Sequence, residues 1–226
     1  MIKVHRDYGV PYFFIFLLSS KEYLVCLIAI PAKVICMATK NPGRLEVVCG
    51  SMFSGKSEEL IRRLRRAEFA QQTTQVFKPT LDNRTTMEYI HAHSGNKLAA
   101  IAADNPQVIS TFVLDGTQVV GIDEVQFFSP DIVDVINVLI AQGKRVIVAG
   151  LDLDFRALPF GCMPLLLAIA DSVTKLNAVC MICGQDAHHT QRLVNGNPAH
   201  FHDPLIMVGA QEYYQARCRK CYEITY

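Results

Sequence analysis

The chain has 226 residues, 50% of them apolar, with 22 Lys and Arg against 21 Asp and Glu. That length suits one medium domain, or one domain with a small appendage, and it buries enough surface to form a core without disulfides. A charged fraction of 19% and a formal net charge of +1 exclude a disordered chain and an acidic or basic tail protein. They also argue against wide contact with duplex nucleic acid, which rests on neutralising many phosphates.

The first forty-odd residues stand apart. Residues 10–20 are nearly all apolar, Lys21 and Glu22 interrupt them, and residues 23–37 resume with Pro31 and Lys33 inside. Neither run reaches the roughly 18–20 apolar residues that a spanning helix needs. Lys3 and Arg6 suit the basic start of a signal peptide, but no A-x-A cleavage site follows. Three readings stay open: an upstream extension outside the working protein, with translation starting at Met37; a poorly ordered or interfacial tail; or a membrane anchor. Residues 1–42 are therefore set aside from fold reasoning.

After Lys40-Asn41-Pro42-Gly43 the pattern alternates between strand and helix. Residues 45–49 form a β-rich run ending at Gly50. A helix is predicted over 57–72, with Leu60, Ile61, Leu64 and Ala67 on one face and Arg62, Arg63, Arg65 and Arg66 largely on the other. Residues 74–78 read as a strand stopped by Pro79, and residues 119–123 as a buried strand. In the next helix Ser129 is the predicted N-cap, Pro130 the first helical residue, Ile132, Val135, Ile136 and Leu139 the buried stripe, and Gly143 the stop. Residues 145–150 are another buried strand. Such alternation predicts βαβ units, a mostly parallel sheet in an α/β fold, and a ligand site at the carboxyl ends of the strands.

Gly50-Ser51-Met52-Phe53-Ser54-Gly55-Lys56-Ser57 matches G-x-x-x-x-G-K-[ST] at every fixed position, between a predicted strand and a predicted helix. Glycines let the backbone turn its N–H groups toward an anion, and the helix start adds favourable partial charge. Lys56 would reach the β- and γ-phosphates of a nucleotide, and the Ser57 hydroxyl would bind Mg²⁺. Asp123 ends a buried strand, so its carboxylate would emerge near that metal, and Glu124 beside it could act as general base. The base could activate water, giving an ATPase, or a substrate hydroxyl, giving a kinase.

Of the eight cysteines, Cys180 and Cys183 form one C-x-x-C knuckle and Cys218 and Cys221 another. Four thiolates with no open position suggest structural Zn²⁺, an iron–sulfur cluster or a dithiol pair being the alternatives. His188, His189, His200 and His202 lie between the knuckles and read as loop residues.

At this point the sequence resembles the type II thymidine kinases over residues 43–222. The resemblance is carried by the phosphate loop, by Gly121-Ile122-Asp123-Glu124-Val125-Gln126-Phe127-Phe128, by Gly150-Leu151-Asp152-Leu153-Asp154-Phe155-Arg156 with Pro159-Phe160-Gly161, and by the two knuckles with Tyr214. It implies a RecA-like P-loop NTPase core over 43–176 and a small zinc-ribbon-like lobe over 177–226. It further implies a cytoplasmic homotetramer that uses ATP with Mg²⁺ to phosphorylate thymidine at its 5′-hydroxyl, giving dTMP for DNA synthesis, with feedback inhibition by dTTP. By position, Glu124 would be the catalytic base. ATP would contact residues 50–57 together with Asp123, Glu124, Val125 and Gln126, and Mg²⁺ would lie by Ser57 and Asp123. The thymidine pocket would use Met52, Phe127, Leu151, Phe155, Phe160, Thr190 and Tyr214. A lasso of Leu205, Ile206, Met207, Val208 and Gly209 would pair its backbone with the base. Asp82 and Arg84, in a loop expected to close over substrate up to Gly95, and Arg156 are candidates to offset phosphoryl charge.

Two stretches depart from the family pattern: His91-Ala92-His93-Ser94-Gly95 in the closing loop, and Val208-Gly209-Ala210, which replaces a double glycine. The reading from another class is a small P-loop ATPase with a zinc knuckle acting on single-stranded nucleic acid. It would need a basic groove interleaved with aromatics, for which the arginines at 62–66 are the hint. A membrane-tethered NTPase depends wholly on the N-terminal segment.

Overall fold

Leu45, Val47 and Cys49 alternate along one strand with Glu46 and Val48, and all five are buried. Successive side chains point to opposite faces, so such a strand needs cover on both. The computed structural model describes residues 42–80, 87–91, 97–205 and 212–226 and supplies that cover. The N-terminal segment, Asp82, Arg84, Ile206, Met207, Val208 and Gly209 lie outside the described residues.

Seven strands, β1 (Arg44–Gly50), β2 (Thr74–Pro79), β3 (Met87–His91), β4 (Lys97–Ala103), β5 (Val119–Ile122), β6 (Arg145–Gly150) and β7 (Ser172–Leu176), form one sheet in the order β3-β4-β2-β5-β6-β1-β7. All pairings are parallel except β3 with β4. Helix α1 (Lys56–Phe69) packs Leu60, Ile61, Leu64 and Ala67 against Val48, Val76, Val119 and Ile147 on one face. Helices α2 (Pro106–Phe112), α3 (Ile132–Ala141) and α4 (Met163–Ile169) cover the other face over Leu45, Val47, Val120, Ile122 and Val146. This is a doubly covered α/β core. In a parallel sheet the carboxyl ends share one rim, so Gly50, Ile122 and Gly150 emerge together.

The remaining strands, β8 (Ala178–Val179), β9 (Asp186–Ala187), β10 (His189–Val194), β11 (Asn197–Pro198) and β12 (Glu212–Arg217), make a two-stranded ribbon and a three-stranded antiparallel sheet. Together they form the expected ribbon-like lobe that carries the cysteines.

Several local expectations need correction. Helix α1 stops at Phe69 rather than Gln72, because Gln71 turns left-handed at φ 59° and the amides of Gln71 and Gln72 close onto Glu68 O and Ala67 O. Ser129 does not cap α3. Ser129 and Pro130 belong to a preceding turn whose carbonyls accept from Ile132 N and Val133 N, and the cap position is Asp131, with no side-chain bond. The predicted stripe of Ile132, Val135, Ile136 and Leu139 is buried as expected. Part of the segment read as a closing loop is instead β3, paired antiparallel with β4. Among the described residues no helix is long and apolar enough to cross a membrane.

Candidate active site

Strand β1 ends at Gly50, where φ is 141° and an added Cβ would lie 2.2 Å from Leu176 O. Only glycine fits that turn. The chain then loops to Gly55, at φ 84°, and enters α1 with no side-chain cap on its first amides. Those donors and the positive end of the helix dipole are left for an anion. Lys56 is buried, and its Nζ donates to Ser51 O at 2.9 Å while Ser54 Oγ donates to the same carbonyl at 2.8 Å. Burial lowers the Lys56 pKa from its ordinary value, and the charges of Glu124, Asp123 and Asp152 oppose that.

Asp123 follows β5 at the same rim. Its Oδ2 accepts from Ser57 Oγ at 2.9 Å and its Oδ1 from Glu124 N at 3.0 Å. Burial, and then the neighbouring Glu124 charge, push its pKa up to about 6. A carboxylate within hydrogen-bond reach of a hydroxyl, both in a negatively biased site, is a donor set that suits a hard cation such as Mg²⁺. Glu124 sits at φ 49° and ψ 38°. A left-handed backbone costs a non-glycine residue about 1–2 kcal/mol, and such strain tends to collect at functional sites.

A cleft of about 230 Å³ opens beside this rim. It is bordered by Lys56 and Glu124 and walled by Met52, Phe127, Leu151, Phe155, Phe160, Thr190, Leu205 and Tyr214, so every described pocket residue named from the sequence lies around one space. Phe127 and Phe160 meet edge to face at 5.4 Å. Val125 and Gln126 are buried in a 3-10 turn behind the rim. Arg156 does not line the cleft. Its guanidinium folds onto Asp154, with Nη2 to Oδ2 at 2.7 Å and Nε to Oδ2 at 2.9 Å.

Sequence reasoning missed Leu153 and Asp154 as lining residues, although both lie inside a quoted motif. It also missed Arg192, which is fully buried. The Arg192 guanidinium lies 3.6 Å from the centre of the Phe155 ring, and its Nη1 donates to Pro204 O at 2.7 Å. Tyr222, quoted only as the end of the resemblance, donates its hydroxyl to Phe155 O at 2.6 Å. Two more bonds tie the ribbon lobe to the phosphate loop: Met52 N donates to Thr190 Oγ1 at 3.0 Å, and Ser51 Oγ donates to Ala187 O at 3.3 Å.

The Sγ atoms of Cys180, Cys183, Cys218 and Cys221 all lie within 4.8 Å of one another. Tetrahedral zinc with sulfur at 2.3 Å needs them about 3.8 Å apart. Burial alone would raise the Cys180 thiol, but hydrogen bonds from the backbone of Cys218, Cys183 and Ile182 outweigh it and bring the pKa to about 6. Cys221 is pushed up to about 12 by its hydrogen bonds with Cys218 and Cys183. Four thiols gathered at that spacing are a donor set that fits a structural zinc ion.

A family model described as thymidine kinase matches residues 43–222, a span that takes in the phosphate loop, the acidic couplet, the cleft and all four cysteines. The chain belongs to the thymidine kinase family.

Proposed function

We propose that this nucleoside kinase transfers the γ-phosphoryl group of ATP to the 5′-hydroxyl of thymidine, with Glu124 as general base. The observation that carries the reading is that Glu124 and Lys56 border the same cleft as Phe127, Phe155, Phe160 and Tyr214. A nucleoside base held among aromatic rings there places its sugar alcohol toward the phosphate loop. The α1 amides and Lys56 bind the phosphates. Ser57 and Asp123 would hold Mg²⁺, which when bound neutralises phosphate charge. Glu124 accepts the hydroxyl proton as the oxygen attacks the γ-phosphorus and ADP departs.

The remaining expectations belong to the same proposal. Residues 43–176 act as the catalytic core and 177–226 as the zinc lobe, a division that falls where the seven-stranded sheet ends at Leu176. Residues 205–209 read the base edge, and Asp82 and Arg84 close over substrate. Arg156 is the weaker phosphoryl-charge candidate, since Asp154 already holds it. The enzyme is a cytoplasmic homotetramer inhibited by dTTP, which would occupy the nucleoside cleft and the phosphate cradle at once. Less supports the single-strand-dependent ATPase, because Arg62 and Arg63 are tied to Glu59, and Arg63 also to Glu46.

Labelled ATP and Mg²⁺, with and without thymidine, test the reading. Label should appear in dTMP only with thymidine, and Glu124→Gln should lower transfer by about 10²–10⁴-fold, the usual worth of a general base, while ATP still binds. Turnover of ATP driven by single-stranded DNA with no labelled nucleotide product would overturn the kinase assignment.

A further inference from the structure

Glu124 carries three side-chain rotors, and a base that rotates freely is seldom aligned with the proton it must take. One neighbour removes that freedom. Gln126 Nε2 donates to Glu124 Oε2 at 2.6 Å, while Gln126 Oε1 accepts from Leu151 N at 3.1 Å. The second bond settles the amide's orientation, because only an oxygen can accept from a backbone N–H. Gln126 is 2% exposed, so water cannot readily replace either partner. Space for the amide comes from Gly150, where an added Cβ would lie 2.6 Å from Gln126 Oε1. Among the described residues Glu124 Oε1 takes no hydrogen bond, and Glu124 lines the cleft.

We propose that Gln126 is a positioning residue which holds one oxygen of the Glu124 carboxylate so that the other faces the substrate alcohol, rather than a residue that contacts ATP. This rests on Glu124 being the general base. The clamp runs from the backbone at the end of β6, through a buried amide, to the reacting carboxylate. It couples the position of the base to Leu151, which is itself a wall of the nucleoside cleft. The strained backbone of Glu124 and the tether on its side chain then act together: the first aims the residue at the cleft and the second fixes its carboxylate plane.

Gln126→Glu tests this, and because the position is buried its melting temperature is read beside the kinetics. It keeps the shape and the oxygen that accepts from Leu151 N, but it replaces the neutral amide by a second carboxyl, which either repels Glu124 or shares one proton with it and so lowers its basicity. Steady-state kinetics should show kcat reduced at least tenfold, with KM for ATP within twofold of the parent. Gln126→Met, which removes the donor without adding charge, should follow the same pattern, with the melting temperature confirming that both variants are folded. Combining Gln126→Glu with Glu124→Gln should cost no more than Glu124→Gln alone, because the clamp has nothing left to position. A rise in KM for ATP with kcat preserved, or losses that multiply in the double variant, would overturn the proposal in favour of direct nucleotide contact. An unimpaired Gln126→Glu beside a dead Glu124→Gln would overturn the clamp and leave the base in place. A fully active Glu124→Gln would remove the base assignment itself.

Discussion

Replacing Asp123 by Asn should make the nucleotide-free protein more stable at neutral pH while weakening its grip on Mg²⁺ and ATP. Asp123 is 5% exposed and its pKa is raised from 3.8 to about 6, first by burial and then by the Glu124 charge. At about 1.4 kcal/mol per pH unit, the ionised carboxylate costs the folded state roughly 3 kcal/mol near pH 7. Asn keeps the shape but gives up one acceptor for Ser57 Oγ or Glu124 N, which returns about 1 kcal/mol. A net gain of about 2 kcal/mol raises Tm by roughly 4–8 °C for a domain of this size. The sign of the pH dependence follows. The folded state holds this proton more tightly than the unfolded chain, so the penalty is full above about pH 6 and gone below 3.8. Thermal unfolding of parent and variant at pH 7.5 and at pH 4 should therefore show the advantage at the higher pH and lose it at the lower. With saturating Mg²⁺ and ATP at pH 7.5 the order should reverse, because ligand binding stabilises the parent more. A variant no more stable than the parent at pH 7.5, or equally favoured at both pH values, would refute the argument that Asp123 is held ionised against its surroundings.

The ribbon lobe makes two further expectations. Arg192→Met keeps the stem volume but removes the cation over Phe155 and the donor to Pro204 O, interactions worth about 2–4 kcal/mol together. Because Phe155 and Leu205 both wall the cleft, KM for thymidine should rise at least tenfold while KM for ATP holds; equal rises in both would show a general loss of structure instead. Stripping metal with a chelator, or Cys183→Ser, should lower Tm and raise KM for thymidine, and metal analysis of the parent should return about one zinc per chain. A metal-free protein of unchanged stability would refute a structural role for the four thiols.

What could be read from the residue pattern follows from how local each cause is. The phosphate loop is legible because anion binding by backbone amides demands glycines and a lysine at set spacings. The buried strands are legible because Val146, Ile147 and Val148 have few other places to go. The aromatic wall is a different case. Phe127, Phe155 and Phe160 taken singly look like core, and only the family resemblance gathered them. Leu153 and Asp154 owe their place to an irregular loop, closed by a bridge between Leu153 and Pro159 and by Asp154 Oδ1 accepting from the amides of Arg156 and Leu158. No periodicity announces such a loop. Arg192 escaped notice because a strand arginine ordinarily faces solvent, and its burial depends on Phe155, 37 residues earlier in the chain. Strand β4 was hidden by its run of alanines, which lack the β-branching that marks a strand.

Thr190 gripping Met52, Ala187 gripping Ser51 and Tyr222 gripping Phe155 form a seam where the two parts of the enzyme interlock. Any chimaera spliced at the end of β7 would inherit half of that seam from each parent. Each bond sets one side chain, Ser51, Thr190 or Tyr222, against a backbone atom of Ala187, Met52 or Phe155, so a hybrid keeps the seam only where those three side chains survive and the opposing backbone holds its course.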